Sequence, residues 1–199
     1  MARSISEPTR AAILEAAWRL IEREGRVDIG QAAIAAEAGV SRQSIFYAFG
    51  DRTGLLTAMA RHRDQQSPRL ARLVEVASER RTDAGQLLDV VSAWIDYLPD
   101  VYPVAILLDA AAITDAEAKA AIEDRMIVLF RNGLVARLRS MARLGLLREG
   151  ADPDRTAHVV WEICHLRAWR SLVVDCGWTP EEFKSSRLAL ISTFLRHET

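Results

Sequence analysis

Residues 41–44 place four polar side chains, Ser41, Arg42, Gln43 and Ser44, in succession at the start of a short predicted helix. Their hydroxyl, guanidinium and amide groups can form hydrogen bonds, and a Gln amide can bond to two edge atoms of adenine in the DNA major groove. The helix then continues into aromatic residues at positions 46, 47 and 49. A helix of this kind can lie in a major groove, or it can be one half of a structural hairpin whose polar end faces water.

A predicted turn positions this helix against the one before it. Gly39 lies where the preceding helix must end, because a left-handed residue after a helix is penalised when it carries a Cβ atom. Ser41 follows as an N-cap whose hydroxyl can accept from the first amides of the next helix. A helix, a short turn with Gly and a second helix form a helix-turn-helix. The short, capped helix with small polar residues first favours DNA binding over a purely structural hairpin.

A longer helix is predicted before this pair. It begins near Glu7, with Ser6 as its cap and Pro8 in its first turn, and it ends at Gly25. Its spacing of apolar residues predicts one buried stripe. The stripe contains Ala12, Ile13, Ala16, Ala17, Leu20 and Ile21.

Two further boundaries are predicted around the helix-turn-helix. A capping box between Asp28 and Gln31 is expected to start the helix that runs to Ala38. A fourth helix starts near Asp51, and Ser67-Pro68 either kinks it or begins a new helix.

The rest of the chain is also predicted to be helical, because no segment alternates with the period of a strand. Helices are expected over 86–98, 101–113, 116–144, 153–176 and 180–195. The last has an N-cap at Thr179, a proline at its first position and two acidic residues after it. The predicted fold is all-α, with about nine helices: a three-helix head over residues 1–52 and a helical body over 53–199.

The composition excludes several classes of protein. A net charge of −1 excludes nucleic-acid binding through bulk charge, but it is compatible with a local basic patch. The N-terminus lacks the apolar core of a signal peptide, and no apolar run approaches the about 20 residues of a membrane span, so we expect a cytoplasmic protein. Cys164 and Cys176, about 18 Å apart on one predicted helix, are expected to be free thiols.

No catalytic or cofactor motif is visible in the sequence. It contains no phosphate-binding loop, no Gly-x-Ser-x-Gly motif and no zinc-finger spacing. We therefore predict no enzymatic activity, no cofactor and no metal site.

The head resembles the tetracycline-repressor (TetR) family of bacterial regulators. The similarity is strongest over residues 10–56, in Ile34-Ala35, Ala38-Gly39-Val40-Ser41, Ile45, Phe46, Phe49 and Leu55-Leu56. It implies that five residues face DNA and that Arg52 binds phosphate. The five are Ser41, Arg42, Gln43, Ser44 and Tyr47.

Four positions depart from the usual pattern of that family. Phe46 replaces a usual Tyr and Ala48 a frequent His, while Gln43 stands where Gly or Pro is common and Arg52 where Lys is usual. We expect these changes to alter which operator is bound more than whether DNA is bound.

The body contains few but large apolar side chains that are candidates to line a ligand cavity. They are Trp94, Tyr97, Tyr102, Ile106, Met126, Phe130 and Trp161. The alternative for each of them is ordinary core packing.

Two polar positions are added to this candidate ligand site. Asp109 shares a helical face with Tyr102, Ile106 and Ile113, and a carboxylate among apolar neighbours needs a partner. That partner is a cationic ligand, or an arginine at position 125 or 131 of the next helix. His165 shares a helical face with residues 158 and 162, a His and a Glu, which favours a polar patch in a pocket or dimer seam over a site for a divalent metal.

The last two helices carry apolar residues over wide arcs. These include Val159, Val160, Ile163, Leu166, Leu172 and Val173 on one helix and Phe183, Leu188, Leu190, Ile191, Phe194 and Leu195 on the other. Such helices must be covered on all sides, by a second copy in a four-helix bundle or by internal packing in a monomer. The family resemblance implies the dimer.

Together these features predict a homodimeric, ligand-responsive transcriptional regulator. We expect a repressor that a small-molecule effector releases from a palindromic double-stranded DNA operator, with no membrane contact. Two alternatives stay open: a ligand-binding or protein-interaction module whose helix-turn-helix no longer binds DNA, and an enzyme without a visible catalytic constellation.

Overall fold

A computed structural model describes residues 5–25 and 27–196, and it is helical with no strand among those residues. The contacts divide the chain into two units. The first contains the chain up to Gln66 together with Asp100–Ile122, and the second contains Ser67–Pro99 and the chain from Glu123 onward.

The first four helices lie in the first unit. They are α1 (Glu7–Glu24), α2 (Gln31–Ala38), α3 (Arg42–Phe49) and α4 (Arg52–Gln66). As predicted, the hydroxyl of Ser6 caps α1 by accepting from the amide of Thr9 at 3.4 Å, and Gly25 ends the helix with a φ of 62°. The predicted stripe of α1 is buried except at Ala12, which is exposed. Ala12 lies at the edge of the stripe that faces solvent. Leu14 and Trp18, which were not in the predicted stripe, are also buried.

The predicted capping box at the start of α2 is wrong. The N-cap is Gly30, and no side chain bonds to the first amides of the helix. The carboxylate of Asp28 instead accepts a hydrogen bond from the guanidinium of Arg52 at 2.8 Å. A charged partner from another helix has replaced the local bond to Gln31.

The remaining elements are seven α-helices and two π-helical segments within the described residues. They are α5 (Pro68–Ser78), α6 (Ala84–Ala111), α7 (Ala116–Ile122), the π-helical segment Glu123–Arg131, α8 (Asn132–Arg143), α9 (Pro153–Ile163), α10 (Leu166–Trp169), the π-helical segment Arg170–Asp175 and α11 (Pro180–Ser192). Ser67 caps α5 by accepting from the amide of Leu70 at 3.0 Å, so Ser67-Pro68 begins a new helix.

The predicted break near residues 98–101 is absent, because α6 is one helix that passes through Pro99 and Pro103. Each proline lacks an amide hydrogen, so the helix loses two of its own hydrogen bonds there. Burial of the apolar residues Leu98, Val101 and Val104 outweighs that loss. The helix ends at Ala111, so Ile113 does not share its face and is 84% exposed.

The length of α6 also bears on the expectation that no segment could span a membrane. By length and composition alone α6 is apolar enough to do so, but 61% of its most apolar window is buried inside the protein. Such burial is typical of the core helix of a globular protein.

The predicted helix over residues 153–176 is interrupted at Cys164 and His165. The ring Nδ1 of His165 accepts from the amide of Arg167 at 3.2 Å, so His165 caps a new helix with a ψ of 154°. Cys164 and Cys176 therefore do not lie on one helix, although both are free thiols as predicted. His165 likewise does not share one continuous face with His158.

The predicted start of α11 is confirmed. Thr179 and Glu182 form a reciprocal capping box. The Thr179 hydroxyl accepts from the amide of Glu182 at 3.1 Å, and the Glu182 carboxylate accepts from the amide of Thr179 at 2.8 Å. The helix ends at Ser192, earlier than the predicted Leu195. Leu195 instead pairs with Leu147 in an isolated antiparallel bridge that ties the C-terminal segment to the loop after α8.

An ion-pair cluster between α1 and α4 makes the first unit sensitive to pH. Glu15 Oε1 lies 2.6 Å from His62 Nε2 and 3.2 Å from Gln66 Nε2. The hydrogen bond with His62 lowers the pKa of the Glu15 carboxyl below its usual 4.5, against the opposing effect of burial. A carboxyl whose pKa is lower in the folded state stabilises the fold above its unfolded pKa, and this contribution is lost as the pH falls through the folded value.

We expect the Glu15→Gln substitution to lower the free energy of unfolding by about 0.5 kcal/mol at neutral pH, because the half-exposed pair is screened by solvent. Below the folded pKa of Glu15, the variant and the parent should have equal stability. Urea unfolding at neutral and acidic pH measures both values. A difference that persists unchanged at acidic pH would assign the effect to packing.

Candidate nucleic-acid interface

The turn between α2 and α3 has the predicted geometry. Gly39 has a φ of 66°, and the amide of Val40 bonds back to the carbonyl of Ala35 at 3.0 Å. The hydroxyl of Ser41 accepts from the amide of Ser44 at 3.0 Å, which starts α3. This arrangement fixes where α2 ends and α3 begins, as a helix-turn-helix requires.

The inner face of α3 holds it to the unit. Ile45 is fully buried and Phe49 is 9% exposed. The guanidinium of Arg10 donates to the carbonyl of Ala48 and lies 4.6 Å from the centre of the Phe49 ring. A cation over a ring face at this distance is attractive, so Arg10 binds the C-terminal end of α3 twice.

The outer face of α3 is open to solvent and carries both hydrogen-bonding and apolar groups. Arg42 and Gln43 are exposed, and the aromatic residues Phe46 and Tyr47 are 61% and 64% exposed. The amide of Gln43 donates to the hydroxyl of Tyr47 at 2.9 Å, so the two side chains orient each other. The ring centroids of Phe46 and Tyr47 are 6.3 Å apart, so the two rings form one exposed aromatic surface.

The family resemblance implied five DNA-facing residues at this helix and its cap, and Phe46 was not among them. The structure brings Ser41, Arg42, Gln43 and Tyr47 to the exposed part of α3 and its cap, while Ser44 is half-buried. Phe46 lies four residues after Arg42 and therefore shares its face. That spacing was the available signal for including it.

The predicted phosphate contact Arg52 lies at the start of α4 and is engaged in an ion pair. Its partner Asp28 is 2.8 Å away, with side-chain exposures of 47% and 82% for the arginine and the aspartate. An exposed ion pair of this kind contributes about 0–1 kcal/mol, so a phosphate oxygen could replace Asp28 at little cost. Arg19 and Arg23 are likewise paired with Glu37.

The candidate ligand residues of the second unit form a packed aromatic cluster. Trp94 is fully buried, its ring stacks on Phe130 with centroids 4.1 Å apart, and its indole nitrogen donates to the carbonyl of Cys164 at 3.0 Å. Tyr97 is also fully buried beside Trp94, with ring centroids 6.0 Å apart. In this arrangement the cluster is part of the hydrophobic core.

The other members of the candidate ligand set lie in two places. In the second unit, the indole nitrogen of Trp161 donates to the carbonyl of Met126 at 2.9 Å. The Trp161 ring also packs edge-on against the His165 ring, with centroids 5.1 Å apart. In the first unit, Asp109 and Ile106 are each 8% exposed on α6, with Tyr102 one turn earlier. Two cavities described in the second unit, of about 450 and 500 Å³, are lined by other residues.

Among the described residues, no group of three or more His, Cys, Asp or Glu side chains could hold a metal ion. His158 and Glu162 are exposed on α9, whereas His165 is 3% exposed.

Residues 13–59 match the family model described as bacterial regulatory proteins, tetR family. No curated protein sequence matches the chain.

Several solved structures share the fold over almost the whole chain. A protein from Saccharomonospora viridis in complex with choline has a TM-score of 0.75 at 21% identity, covering 96% of this chain and 100% of that one. A TetR transcription regulator from Haloarcula marismortui has a TM-score of 0.72 at 16% identity, with 96% and 100% covered. SmeT, the repressor of the Stenotrophomonas maltophilia multidrug efflux pump SmeDEF, has a TM-score of 0.66 at 19% identity, with 94% and 90% covered.

At these identities the solved structures show a shared fold alone, and the likeness to the tetR family rests on the matched segment. That segment contains α2, the turn at Gly39 and α3, where the predicted helix-turn-helix geometry is found. Over residues 13–59, the segment that holds this helix-turn-helix, the chain is similar to the tetR family of bacterial regulatory proteins.

Proposed function

We propose that the protein is a cytoplasmic, homodimeric repressor that binds a palindromic operator and is released from it by a small molecule. The observation that carries the proposal is the outer face of α3, defined by Arg42, Gln43, Phe46 and Tyr47. These side chains are exposed, and the core beneath them is formed by Ile45 and Phe49 instead. The four outer side chains therefore do not contribute to the core and are available to a partner.

Each outer residue supplies a different contact to DNA. The guanidinium of Arg42 can donate two hydrogen bonds to guanine, and the amide of Gln43 can pair with adenine. The ring of Phe46 is suited to the methyl group of thymine, and the hydroxyl of Tyr47 to a phosphate. Arg52 would bind a phosphate in exchange for Asp28.

The exposed apolar residues of the last helices support the homodimer. Val159 on α9 is 43% exposed and Leu190 on α11 is 45% exposed, while Phe183 and Ile191 of α11 are fully buried. Because α11 is apolar on its outer as well as its inner side, a second copy would cover surface that is now in water. A twofold dimer would place its two α3 helices at half-sites about 34 Å apart, or at a multiple of that distance.

A small-molecule effector is supported by the similar structures and by the aromatic cluster. One of those proteins was solved with choline, and SmeT was solved with triclosan. In this chain the candidate contacts are those around Trp94 and Phe130 in the second unit. Because the cluster is closely packed, an effector would have to displace side chains, and its effect could not exceed its differential affinity for the two states.

A hydrogen bond near α3 is a candidate for coupling effector and operator. The hydroxyl of Thr53, at the start of α4, donates to the carboxylate of Asp115 at 2.5 Å. The same carboxylate accepts from the amides of Glu117 and Ala118 at the start of α7. These bonds lower the pKa of Asp115. We propose that movement of α6 and α7 on effector binding reaches α3 through Thr53. In this proposal residues 1–52 form the DNA-binding domain, and residues 53–199 form the domain for ligand binding and dimerisation.

Selection of operators from random DNA tests the proposal directly. The parent should enrich a palindrome, and Arg42→Ala and Gln43→Ala should each relax the consensus at one symmetric pair of positions. Arg155→Ala, at an exposed arginine of α9, is the matched control and should leave the consensus unchanged. Binding without any enriched sequence would contradict the proposal and favour a ligand-binding or protein-interaction module with a degenerate helix-turn-helix.

The exposed ring of Phe46 gives a second, independent test. We expect Phe46→Ala to weaken operator affinity about tenfold, because losing recognition at one base pair costs about 1–3 kcal/mol. Its free energy of unfolding should change by less than about 0.5 kcal/mol, since the ring is exposed. Val74→Ala is the control, because Val74 is an apolar side chain of α5 that is 51% exposed. Equal operator affinity in both variants would exclude Phe46 from the interface.

A further inference from the structure

A surface cavity of about 500 Å³ in the second unit is bordered by arginines. It lies between the end of α5, the loop from Glu79 to Thr82, the start of α6 and one side of α8. Its lining residues are Ala77, Glu79, Arg80, Arg81, Thr82, Gln86, Gly133, Ala136, Arg137 and Ser140. None of them belongs to the aromatic cluster or to the helix-turn-helix.

Arg137 lines this cavity and is half-buried. Its Nε donates to the side-chain oxygen of Gln86 at 3.3 Å, and one terminal nitrogen donates to the carbonyl of Ala77 at 3.0 Å. Gln86 is itself 1% exposed and donates to the carbonyl of Glu79 at 2.6 Å, so it is fixed in place. The guanidinium is therefore held in one orientation by neutral groups.

Among the described residues, Arg137 has no carboxylate partner. Burial lowers the pKa of its guanidinium, and no acidic group offsets that effect. A guanidinium stays charged in proteins, and a partly buried charge is stabilised when an opposite charge accompanies it. An anion in the cavity would supply that charge.

Two further arginines have no ion pair within the described part of the chain: Arg80 lines the cavity, whereas Arg143 lies outside the lining but bonds to the lining residue Ser140. Arg80 is exposed on the loop, and Arg143 donates to the hydroxyl of Ser140 at 2.9 Å. Arg81 differs from them, because it is paired with Glu79, Asp83 and Asp89 at 3.5, 3.2 and 3.0 Å. Glu79, which lines the cavity, is thus paired with Arg81, and no carboxylate among the described residues pairs with Arg80, Arg137 or Arg143.

The cavity also has room beside these charges. Its floor includes Ala77, Gly133 and Ala136, and a Cβ placed on Gly133 would meet nothing within 4 Å. A volume of this size is in the range of small-molecule sites. Planar guanidinium groups are matched to the paired oxygens of carboxylates and phosphates.

We propose that this cavity, the Arg137 site, binds a small molecule with a phosphate or carboxylate head group. The head group contacts Arg137, Arg80 and Arg143, and the remainder lies over the small residues of α8. The site is separate from the effector site proposed above, and binding there requires neither DNA nor that effector.

Isothermal titration calorimetry of the full-length chain with inorganic phosphate and with succinate, at matched ionic strength, tests this proposal. We expect saturable binding of at least one of the two anions, and the tighter one identifies the head group. Arg137→Lys keeps the charge but loses the planar fork, and it should weaken binding about tenfold. Arg80→Gln and Arg143→Gln should weaken it too, and both sites are exposed, so these variants stay informative if Arg137→Lys does not fold.

Arg155→Gln, which changes an exposed arginine of α9 outside the cavity, should bind as the parent does. Heats that do not saturate, or that are equal in all four variants, would show a general ion effect and overturn the proposal. Operator selection is measured without these anions. Absence of anion binding would therefore not affect the test of DNA binding, and absence of operator selection would not affect the test of anion binding.

Discussion

The Gly54→Ala variant should lose at least about 3 kcal/mol of unfolding free energy together with its operator binding. A Cβ atom at this position would lie 2.1 Å from the carbonyl oxygen of Phe49 and 3.3 Å from its carbonyl carbon. Both atoms belong to the backbone at the end of α3, so no side chain can rotate away. The turn between α3 and α4 would have to shift, and the outer face of α3 would shift with it.

Urea unfolding and operator titration measure the two losses in the same preparation. Gly133→Ala is the control, because Gly133 also lies in the first turns of a helix but has open space around it. That variant should be more stable by about 0.5–1 kcal/mol, since alanine favours helix. If Gly54→Ala matches the parent in both measurements, α3 and α4 do not approach as closely as the structure shows.

Trp94→Ala should lower the free energy of unfolding by about 3–5 kcal/mol, in the range observed for large core residues. The substitution removes the ring stacked on Phe130 and leaves a void in the second unit. It also leaves the carbonyl of Cys164 without the indole donor. Trp94→Phe keeps a stacked ring while losing the hydrogen bond, so we expect a smaller loss of about 1–2 kcal/mol.

Denaturant unfolding of the two variants distinguishes a core role from a cavity-lining role for Trp94. Trp178→Ala is the matched control, because Trp178 is only half-buried, and it should cost less than Trp94→Ala. A Trp94→Ala variant as stable as the parent would mean that the ring borders an open space. The aromatic cluster would then be a preformed effector cavity.

Local capping signals were sufficient to predict much of the fold. Ser6 and Gly25, Gly39 and Ser41, and the capping box at Thr179 all occur where the sequence placed them. Each depends on bonds between residues a few positions apart, which the sequence contains in full. Periodicity similarly gave most of the buried stripe of α1.

Two of the failed predictions share a cause, because a contact with a distant part of the chain outweighed a local preference. Asp28 was expected to cap α2 and instead binds Arg52. Pro99 was expected near a helix break, but packing of the apolar residues around it keeps α6 continuous. His165 was expected on one helical face with residues 158 and 162. That prediction failed for a local reason, because the ring of His165 accepts from the amide of Arg167 and caps the next helix.

The candidate interface was partly predictable for the same reason. The polar start of α3 follows from the order of residues, and its cap follows from Ser41. The exposure of Phe46 depends on which face α3 turns toward α1 and α4, and the pairing of Arg52 depends on where Asp28 lies. Neither can be obtained from local sequence alone.

The two cysteines differ in a way that provides a means of following the protein in solution. Burial raises the pKa of the Cys164 thiol to about 12, whereas Cys176 is exposed. A thiol reacts as its thiolate, so a maleimide probe should modify Cys176 in the folded chain and leave Cys164 untouched. One fluorophore or spin label can thus be attached to each chain without mutagenesis, close to α11. Modification of the second thiol would then report, molecule by molecule, when the second unit opens.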